Sequence, residues 1–157
     1  TGSAKYAAIL HANQSLNLAN HISEWTQRDD KTGYYRALEA METYNAKMNL
    51  HISGALLTGM KWAKPDFIDR LKTNLTAGRA AIIGGVFAEH IMPYFEGEVN
   101  LRSVQLNNEI LADILDLRQT PKVFWIPERV AKGTTFNDVI TDAITGGSTG
   151  YTATVID

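Results

Sequence analysis

The sequence predicts an α/β protein with a parallel sheet and covering helices, and three observations lead to that prediction. Short apolar runs alternate with segments of helical periodicity along the 157 residues. The starts of successive runs lie about 30 to 40 residues apart, which is the length of one strand and one crossover helix. The runs have the composition of strands that are buried on both faces, and such strands are typical of parallel sheets.

Five apolar runs are predicted as the strands of this sheet. Each contains the alanine, valine, isoleucine or aromatic residues of a buried strand and ends at polar or turn-forming residues. In chain order they are residues 6–11 (YAAILH), 47–52 (KMNLHI), 80–87 (AAIIGGVF), 122–126 (KVFWI) and 151–156 (YTATVI).

Four segments between the strands show helical periodicity, with apolar residues three or four positions apart. Proline suits the first turn of a helix, so Pro65 is predicted to begin the second of these helices. Threonine is a favourable N-cap, so Thr134 or Thr135 is expected to cap the fourth. The segments cover residues 34–44, 65–75, 104–115 and 136–144.

Composition narrows the class of protein and its partners. The chain is predicted to form one domain over residues 1–157, with 45% hydrophobic and 20% charged residues, a balance typical of soluble globular proteins. A net charge of −2 gives no electrostatic reason to expect nucleic acid. No apolar run approaches the roughly 18 residues of a membrane span. The chain has no cysteine, which excludes disulfides and thiolate metal sites. With no signal peptide visible, the cytoplasm is favoured over secretion, although the compartment stays open.

Polar side chains follow each predicted strand. Because parallel strands present their carboxyl ends at one edge of the sheet, where α/β proteins form their sites, we expect these side chains to lie at one rim. A single histidine there is more often structural than functional, and His90 is expected in an exposed loop, but the pattern repeats at every strand. The residues expected at the rim are His11, Ser53, Glu89, Glu128 and Asp157.

The fourth strand ends in Pro127, Glu128 and Arg129. One interpretation is a local ion pair where the strand reaches water. The other is that the rigid strand holds Glu128 in a site, where the adjacent guanidinium keeps the carboxylate ionised and able to attack an electrophile. Trp125 belongs to the strand that precedes Glu128. It is either a core residue or an aromatic face on which a sugar stacks.

These residues resemble the N-terminal part of the catalytic barrel of glycoside hydrolase family 57, which includes α-glucan amylases, 4-α-glucanotransferases, branching enzymes and amylopullulanases. The most specific piece is residues 125–130 (WIPERV), which is similar to the family motif at the end of strand four that carries the catalytic nucleophile. The resemblance implies an incomplete (β/α)7 barrel. Further similar stretches are residues 46–57 (AKMNLHISGALL), 64–71 (KPDFIDRL), 87–89 (FAE) and 151–157.

The sequence departs from the pattern of the family in three of its motifs. The first family motif has a second histidine and a proline where this chain has Asn13 and Ser15. The glutamate of the second motif is replaced by Ala81. The aspartate that serves the family as acid catalyst is expected to lie beyond Asp157. We therefore expect these 157 residues alone to be inactive.

The resemblance implies roles for particular residues. It makes Glu128 the nucleophile of a retaining reaction, which needs a second carboxyl group as acid. His11 and Gln14 are expected to hydrogen-bond sugar hydroxyl groups, and Trp125, Glu89 and Arg129 are expected to line the same site. We expect no metal and no cofactor. The implied partners are an oligo- or polysaccharide of the α-glucan type and either the remainder of the catalytic chain or a second copy.

Three functions remain open on the sequence. The first is a retaining α-glucan hydrolase or transferase, of which these residues form one part. The second is a non-catalytic sugar-binding module on the same fold. The third is a metal-dependent polysaccharide deacetylase, which requires an aspartate pair after strand one, followed by two histidines four positions apart. The segment His11-Ala12-Asn13 and the isolated histidines supply neither, so this is the weakest of the three.

Overall fold

The computed structural model describes residues 7–12, 33–140 and 149–155. Within these ranges, strands and helices alternate along the chain. The strands are β1 (Ile9–Ala12), β2 (Met48–Ile52), β3 (Ala80–Ile83), β4 (Val123–Trp125) and β5 (Ala153–Val155). The helices are α1 (Gly33–Thr43), α2 (Gly54–Ala63), α3 (Pro65–Thr76), α4 (Gly97–Leu115) and α5 (Gly133–Ile140), with 3₁₀ turns at Met92–Tyr94 and Pro127–Arg129.

The described strands lie side by side in sequence order, and every pair is parallel. The first three form one sheet, in which His11 is the register partner of His51 and His51 that of Ile83. β4 and β5 form a second pair. Gly84 joins the two parts, because its N–H donates to Val123 at 2.9 Å and its carbonyl accepts from the N–H of Trp125 at 2.8 Å. The predicted partial α/β barrel of about five parallel strands is therefore confirmed.

Regular pairing in β3 ends at Ile83, four residues earlier than predicted. The cause is the close approach of two side chains to the glycines that follow. A Cβ at Gly84 would fall within 1.9 Å of the Tyr151 hydroxyl oxygen, and one at Gly85 within 2.4 Å of His51 Nε2. The two glycines therefore serve close packing against the backbone, and this apolar run is only half strand.

The helices cover the sheet largely as predicted. α1 buries Tyr35, Leu38 and Met41, and α3 begins at Pro65. α4 begins at Gly97, seven residues before the segment predicted from its periodicity. In α5, which begins at Gly133, Thr135 lies in the first turn and is not the N-cap. Its Oγ1 accepts the N–H of Lys132 at 3.1 Å.

α2 is a helix that the sequence analysis missed. Ser53, expected only as a polar strand end, is its N-cap and accepts the N–H of Leu56 at 3.3 Å. The segment GALLTGMKWA has apolar residues nearly all round the helix, so it lacks the single apolar stripe by which amphipathic helices are recognised. No helix in the described ranges is both long enough and apolar enough to cross a membrane.

Candidate active site

Three aromatic rings meet inside the arc of the sheet. The register of β1 and β2 puts His11 beside His51, and their Nδ1 atoms lie 2.8 Å apart in a hydrogen bond. The Trp125 indole, from β4, stacks on His11 with ring centroids 4.4 Å apart and on His51 at 5.5 Å. The two imidazole centroids are 4.8 Å apart, with their planes 16° from parallel. The three distances form a compact triangle, so both imidazoles lie against one face of the indole.

Burial keeps the His11 imidazole neutral at pH 7. The pKa of His11 is lowered from 6.5 to about 4, chiefly because burial disfavours the charged imidazolium, and further by the electrostatic effects of His51 and Arg129. His11 is therefore neutral at pH 7 and can both donate and accept a hydrogen bond. Trp125 is only 8% exposed, and its Nε1 has no hydrogen-bond partner within the part of the chain that the structure describes.

Glu89 lies behind the rings, in the loop after β3. Its side chain is 2% exposed, and Oε1 lies 3.3 Å from Nε2 of the fully buried His51. This contact lacks hydrogen-bond geometry, so both Glu89 oxygens and His51 Nε2 have no hydrogen-bond partner among the described residues. The backbone of Glu89 is left-handed, with φ of 55°.

Glu128 follows β4 in a tight turn at the carboxyl end of the sheet. Phe124 and Ile126 are completely buried and anchor the strand, and Pro127 then begins a single 3₁₀ turn. Glu128 and Arg129 both adopt left-handed backbone conformations, with φ of 50° and 56°. Both are exposed, so the turn presents the carboxylate and the guanidinium to solvent beside the buried rings.

Left-handed backbone is concentrated at this site. An L-residue in that region costs roughly 1–2 kcal/mol, and strain of this kind collects at functional sites. The described chain has five such residues other than glycine. Asn45 is of a type that tolerates the conformation, and Asp116 ends α4 as its C-cap. The other three are Glu89, Glu128 and Arg129, all of which the sequence analysis assigned to the site.

The structure brings together three of the predicted site residues, His11, Trp125 and Glu89, through His51. Arg129 is near enough to affect the pKa of His11. Gln14 and Asp157 fall outside the described residues, so their predicted roles stay predictions. His51, which lies in the second predicted strand, was not assigned to the site. Aligning β1 with β2 in parallel register would have revealed it, since that register pairs the two histidines.

The fold and the polar residues at the carboxyl ends of its strands define an α/β barrel of the kind that carries enzyme active sites at that face. The sequence profile of glycosyl hydrolase family 57 matches residues 5–141. The chain belongs to glycosyl hydrolase family 57.

Among curated relatives, an α-amylase of Pyrococcus abyssi is 32% identical over 108 residues, which is 68% of this chain and 16% of the relative. An α-amylase of Dictyoglomus thermophilum is 30% identical over 83 residues, which is 53% of this chain and 12% of the relative. The chain therefore spans less than a fifth of the length of these relatives.

Solved structures share the fold. The 4-α-glucanotransferase of Thermococcus litoralis has a TM-score of 0.75 and 20% identity, over 96% of this chain and 22% of that one. A family 4 carbohydrate esterase of Streptomyces lividans has a TM-score of 0.62 and 13% identity, over 97% of this chain and 62% of that one. A family 4 acetyl xylan esterase of Clostridium thermocellum, solved with a cobalt ion, scores 0.60 at 16% identity, over 85% of this chain and 53% of that one.

Proposed function

We propose that this chain forms part of the catalytic barrel of a retaining enzyme that hydrolyses or transfers α-glucans, with Glu128 as its nucleophile. The observation that carries the proposal is the strained turn after β4. Glu128 has φ of 50° and ψ of 12° directly after a completely buried strand end, with its side chain exposed. A conformation that costs free energy and presents a carboxylate at the carboxyl edge of a barrel is what a fixed nucleophile requires.

His11 and Arg129 support Glu128 in this proposal. The neutral His11 imidazole offers a donor or an acceptor to a sugar hydroxyl group bound next to the nucleophile. Arg129 follows Glu128 in the same turn and stays a predicted contact of the bound sugar. Trp125 holds His11 by stacking on it at 4.4 Å. Stacking of a sugar on Trp125 itself stays a prediction, since His11 and His51 cover one face of the indole.

A groove on the same edge is suited to further sugar units. It has a volume of about 550 Å³ and lies between the loop after β3 and the loop after β4. Tyr94 and Phe95, which line it, are 80% and 47% exposed. Sugars present C–H faces that stack on aromatic rings exposed in such a groove. We expect Tyr94→Ala to weaken binding of long maltooligosaccharides more than that of maltose.

The acid of the reaction is not assigned to any residue of this chain. Glu89 is the other carboxylate of the site, but it is buried against His51 behind the rings. Retention requires the acid about 5–5.5 Å from the nucleophile, where it protonates the leaving oxygen. Without it, a natural glucan loses the roughly 10²–10⁴-fold acceleration that general acid catalysis contributes. The proposal therefore gives the acid to another part of a longer chain.

A glucosyl donor whose leaving group needs no protonation tests the role of Glu128 as nucleophile without the acid. Fluoride leaves with little proton assistance, so α-glucosyl fluoride should transfer its glucosyl group to Glu128 and release fluoride. We expect intact-mass analysis to find slow addition of one glucosyl group to the native chain and none to Glu128→Gln. Starch and maltooligosaccharides should not be hydrolysed measurably by these residues alone.

Glu98→Gln is a suitable control, because Glu98 is an exposed carboxylate in the first turn of α4 and does not line the groove. It should be labelled at the native rate. If Glu128→Gln is labelled by α-glucosyl fluoride, or if it hydrolyses starch, the nucleophile is another residue.

A non-catalytic sugar-binding module is the second candidate. It is favoured by Ala81, a residue of β3 that stands where the family motif carries a glutamate. In that case maltooligosaccharides should bind, as measured by titration calorimetry, while α-glucosyl fluoride leaves the mass of the native chain unchanged. The metal-dependent deacetylase is not favoured by any residue after β2, where Ala55 stands four positions after His51.

A further inference from the structure

Three side chains of types that can bind a metal ion lie close together where the first three strands end. His11 belongs to β1, His51 to β2, and Glu89 to the loop that follows β3. One ring nitrogen of each histidine and one oxygen of Glu89 all lie within 4.8 Å of one another. The register explains two of the three, because His11 and His51 are neighbours across the β1–β2 ladder.

Three buried polar atoms of this cluster have no hydrogen-bond partner among the described residues. His51 is 0% exposed and the Glu89 side chain 2% exposed. His51 Nε2 and both carboxylate oxygens make no hydrogen bond within the described chain. A buried polar atom without a partner costs about 1–3 kcal/mol, and a charged one costs more, so the native state gains if a ligand binds these atoms.

Gly85 packs closely against the same cluster. A Cβ on Gly85 would lie 2.4 Å from His51 Nε2 and 3.2 Å from Glu89 Oε1, so the absence of a side chain lets these two groups lie where they do. Glu89 also holds a left-handed φ of 55°, at an energetic cost, while its carboxylate faces His51. Donor atoms, close packing and backbone strain therefore coincide.

We propose that His11, His51 and Glu89 bind a divalent first-row transition metal ion, with Zn²⁺ as the preferred ion. Two imidazoles and one carboxylate form a donor set suited to Zn²⁺, which takes nitrogen and oxygen ligands at about 2.0–2.2 Å. His51 Nε2 and Glu89 Oε1, 3.3 Å apart, already lie at about the separation of two ligand atoms on one tetrahedral Zn²⁺. The ion ties the ends of β1, β2 and β3 together. This goes beyond the proposed function, because a retaining reaction on two carboxyl groups needs no metal.

Metal retention tests the site without any assay of activity. The 157-residue chain is stripped with a chelator, loaded with Zn²⁺ or Co²⁺, desalted and analysed for metal. We expect about one equivalent of Zn²⁺ per chain, a visible Co²⁺ absorption spectrum, and a higher thermal midpoint with Zn²⁺ than with chelator. Glu89→Gln and His11→Gln should each weaken Zn²⁺ binding at least tenfold, with folding checked by circular dichroism.

Two variants serve as matched controls. His90→Gln removes a histidine that bonds Asn100 at 2.8 Å outside the cluster, and Glu98→Gln removes an exposed carboxylate of α4. Both should retain the native equivalent of Zn²⁺. The proposal is overturned if the native chain retains no stoichiometric metal, or if folded Glu89→Gln and His11→Gln bind Zn²⁺ as tightly as the native chain. Neither result bears on labelling of Glu128 by the glucosyl donor.

Discussion

Glu128 and Arg129 form a pair of consecutive left-handed residues at the end of a buried strand. Nothing in local sequence preference favours this, since glycine and asparagine are the residues that adopt such backbone at little cost. The surrounding structure therefore imposes the conformation, through the completely buried Phe124 and Ile126 on the strand side. This conformation is held at a cost in stability.

Replacing Glu128 by glycine should release this strain. We expect Glu128→Gly to be more stable than Glu128→Ala by about 1 kcal/mol, because only glycine adopts a φ of 50° without steric conflict. Glu128→Gly should also be at least as stable as the native chain, while losing all labelling by α-glucosyl fluoride. Urea-induced unfolding monitored by tryptophan fluorescence measures the difference.

Glu98 provides the control for this comparison. It lies in the first turn of α4, where helical backbone reverses the preference, so Glu98→Gly should be less stable than Glu98→Ala. If Glu128→Ala proves as stable as Glu128→Gly, the turn carries no strain at that residue.

At the residue scale, the sequence identified His11, Glu89 and Glu128 because each follows an apolar run, and a strand end is visible without coordinates. It missed the contact between His51 and Glu89. That contact depends on where β3 ends and on the left-handed φ of Glu89, neither of which has a sequence signal. That His51 Nε2 and the Glu89 oxygens have no hydrogen-bond partner among the described residues likewise follows only from three-dimensional packing.

At the scale of elements, helices α1 and α3 are joined by a polar contact at their surface. Arg70 donates from Nε and Nη2 to the carboxylate of Glu42, the shortest of these bonds being 2.6 Å, and Asn74 Nδ2 donates to the same carboxylate at 2.7 Å. The hydrogen bond from Arg70 is the main reason that the pKa of Glu42 lies below its ordinary value of 4.5. Both charged side chains are about 30% exposed, so solvent screens part of their attraction.

This contact makes stability depend on pH in a defined direction. A carboxylate whose pKa is lowered in the folded state stabilises fully above its unfolded pKa, and the stabilisation is lost as pH falls through the folded pKa. We expect Glu42→Gln to reduce the free energy of unfolding at pH 7 by about 1 kcal/mol. The deficit should shrink as pH is lowered below 4.5. Urea titrations from pH 7 towards the acid limit of folding give both values.

Glu39 is the matched control on the same helix. Its ion pair with Arg36 is 2.6 Å long, but the two side chains are 38% and 61% exposed, so Glu39→Gln should change stability by only a few tenths of a kcal/mol. A pH-independent deficit in Glu42→Gln would contradict the assignment of the lowered pKa to the contact with Arg70.

The elements themselves were predictable where burial and periodicity agree. The order and parallel direction of the five strands followed from the spacing of apolar runs, and α3 from Pro65 and its apolar face. The exceptions have physical causes. Gly84 and Gly85 end β3 early because side chains from distant segments pack against them. α2 is buried on too many sides for its periodicity to be visible.

At the scale of the whole molecule, the sheet has two outer edges. Among the described strands, β1 pairs only with β2, and β5 pairs only with β4. Unpaired N–H and C=O groups along a strand edge are templates for pairing with another chain. Ile9 in β1 is 41% exposed, which adds an apolar side chain to that edge.

We expect the 157-residue chain to self-associate through its edges. Sedimentation velocity should show an average mass that rises with protein concentration. Ile9→Lys should reduce the association, because a charged side chain on an edge strand opposes pairing. Val99→Lys changes an apolar residue of α4 that is 49% exposed, and should leave the association unchanged. A monodisperse monomer at every concentration would contradict association through the edges.

The ring stack also measures how strongly the sheet is rolled. β1 and β4 are three strand spacings apart in the order of strands, which amounts to about 14 Å along a flat sheet. Yet the rings of His11 and Trp125 meet with centroids only 4.4 Å apart. The contact between the rings therefore spans the inside of the curved sheet, and it limits how far the sheet can flatten. The described strands therefore keep the curvature of a barrel through the contact between these rings.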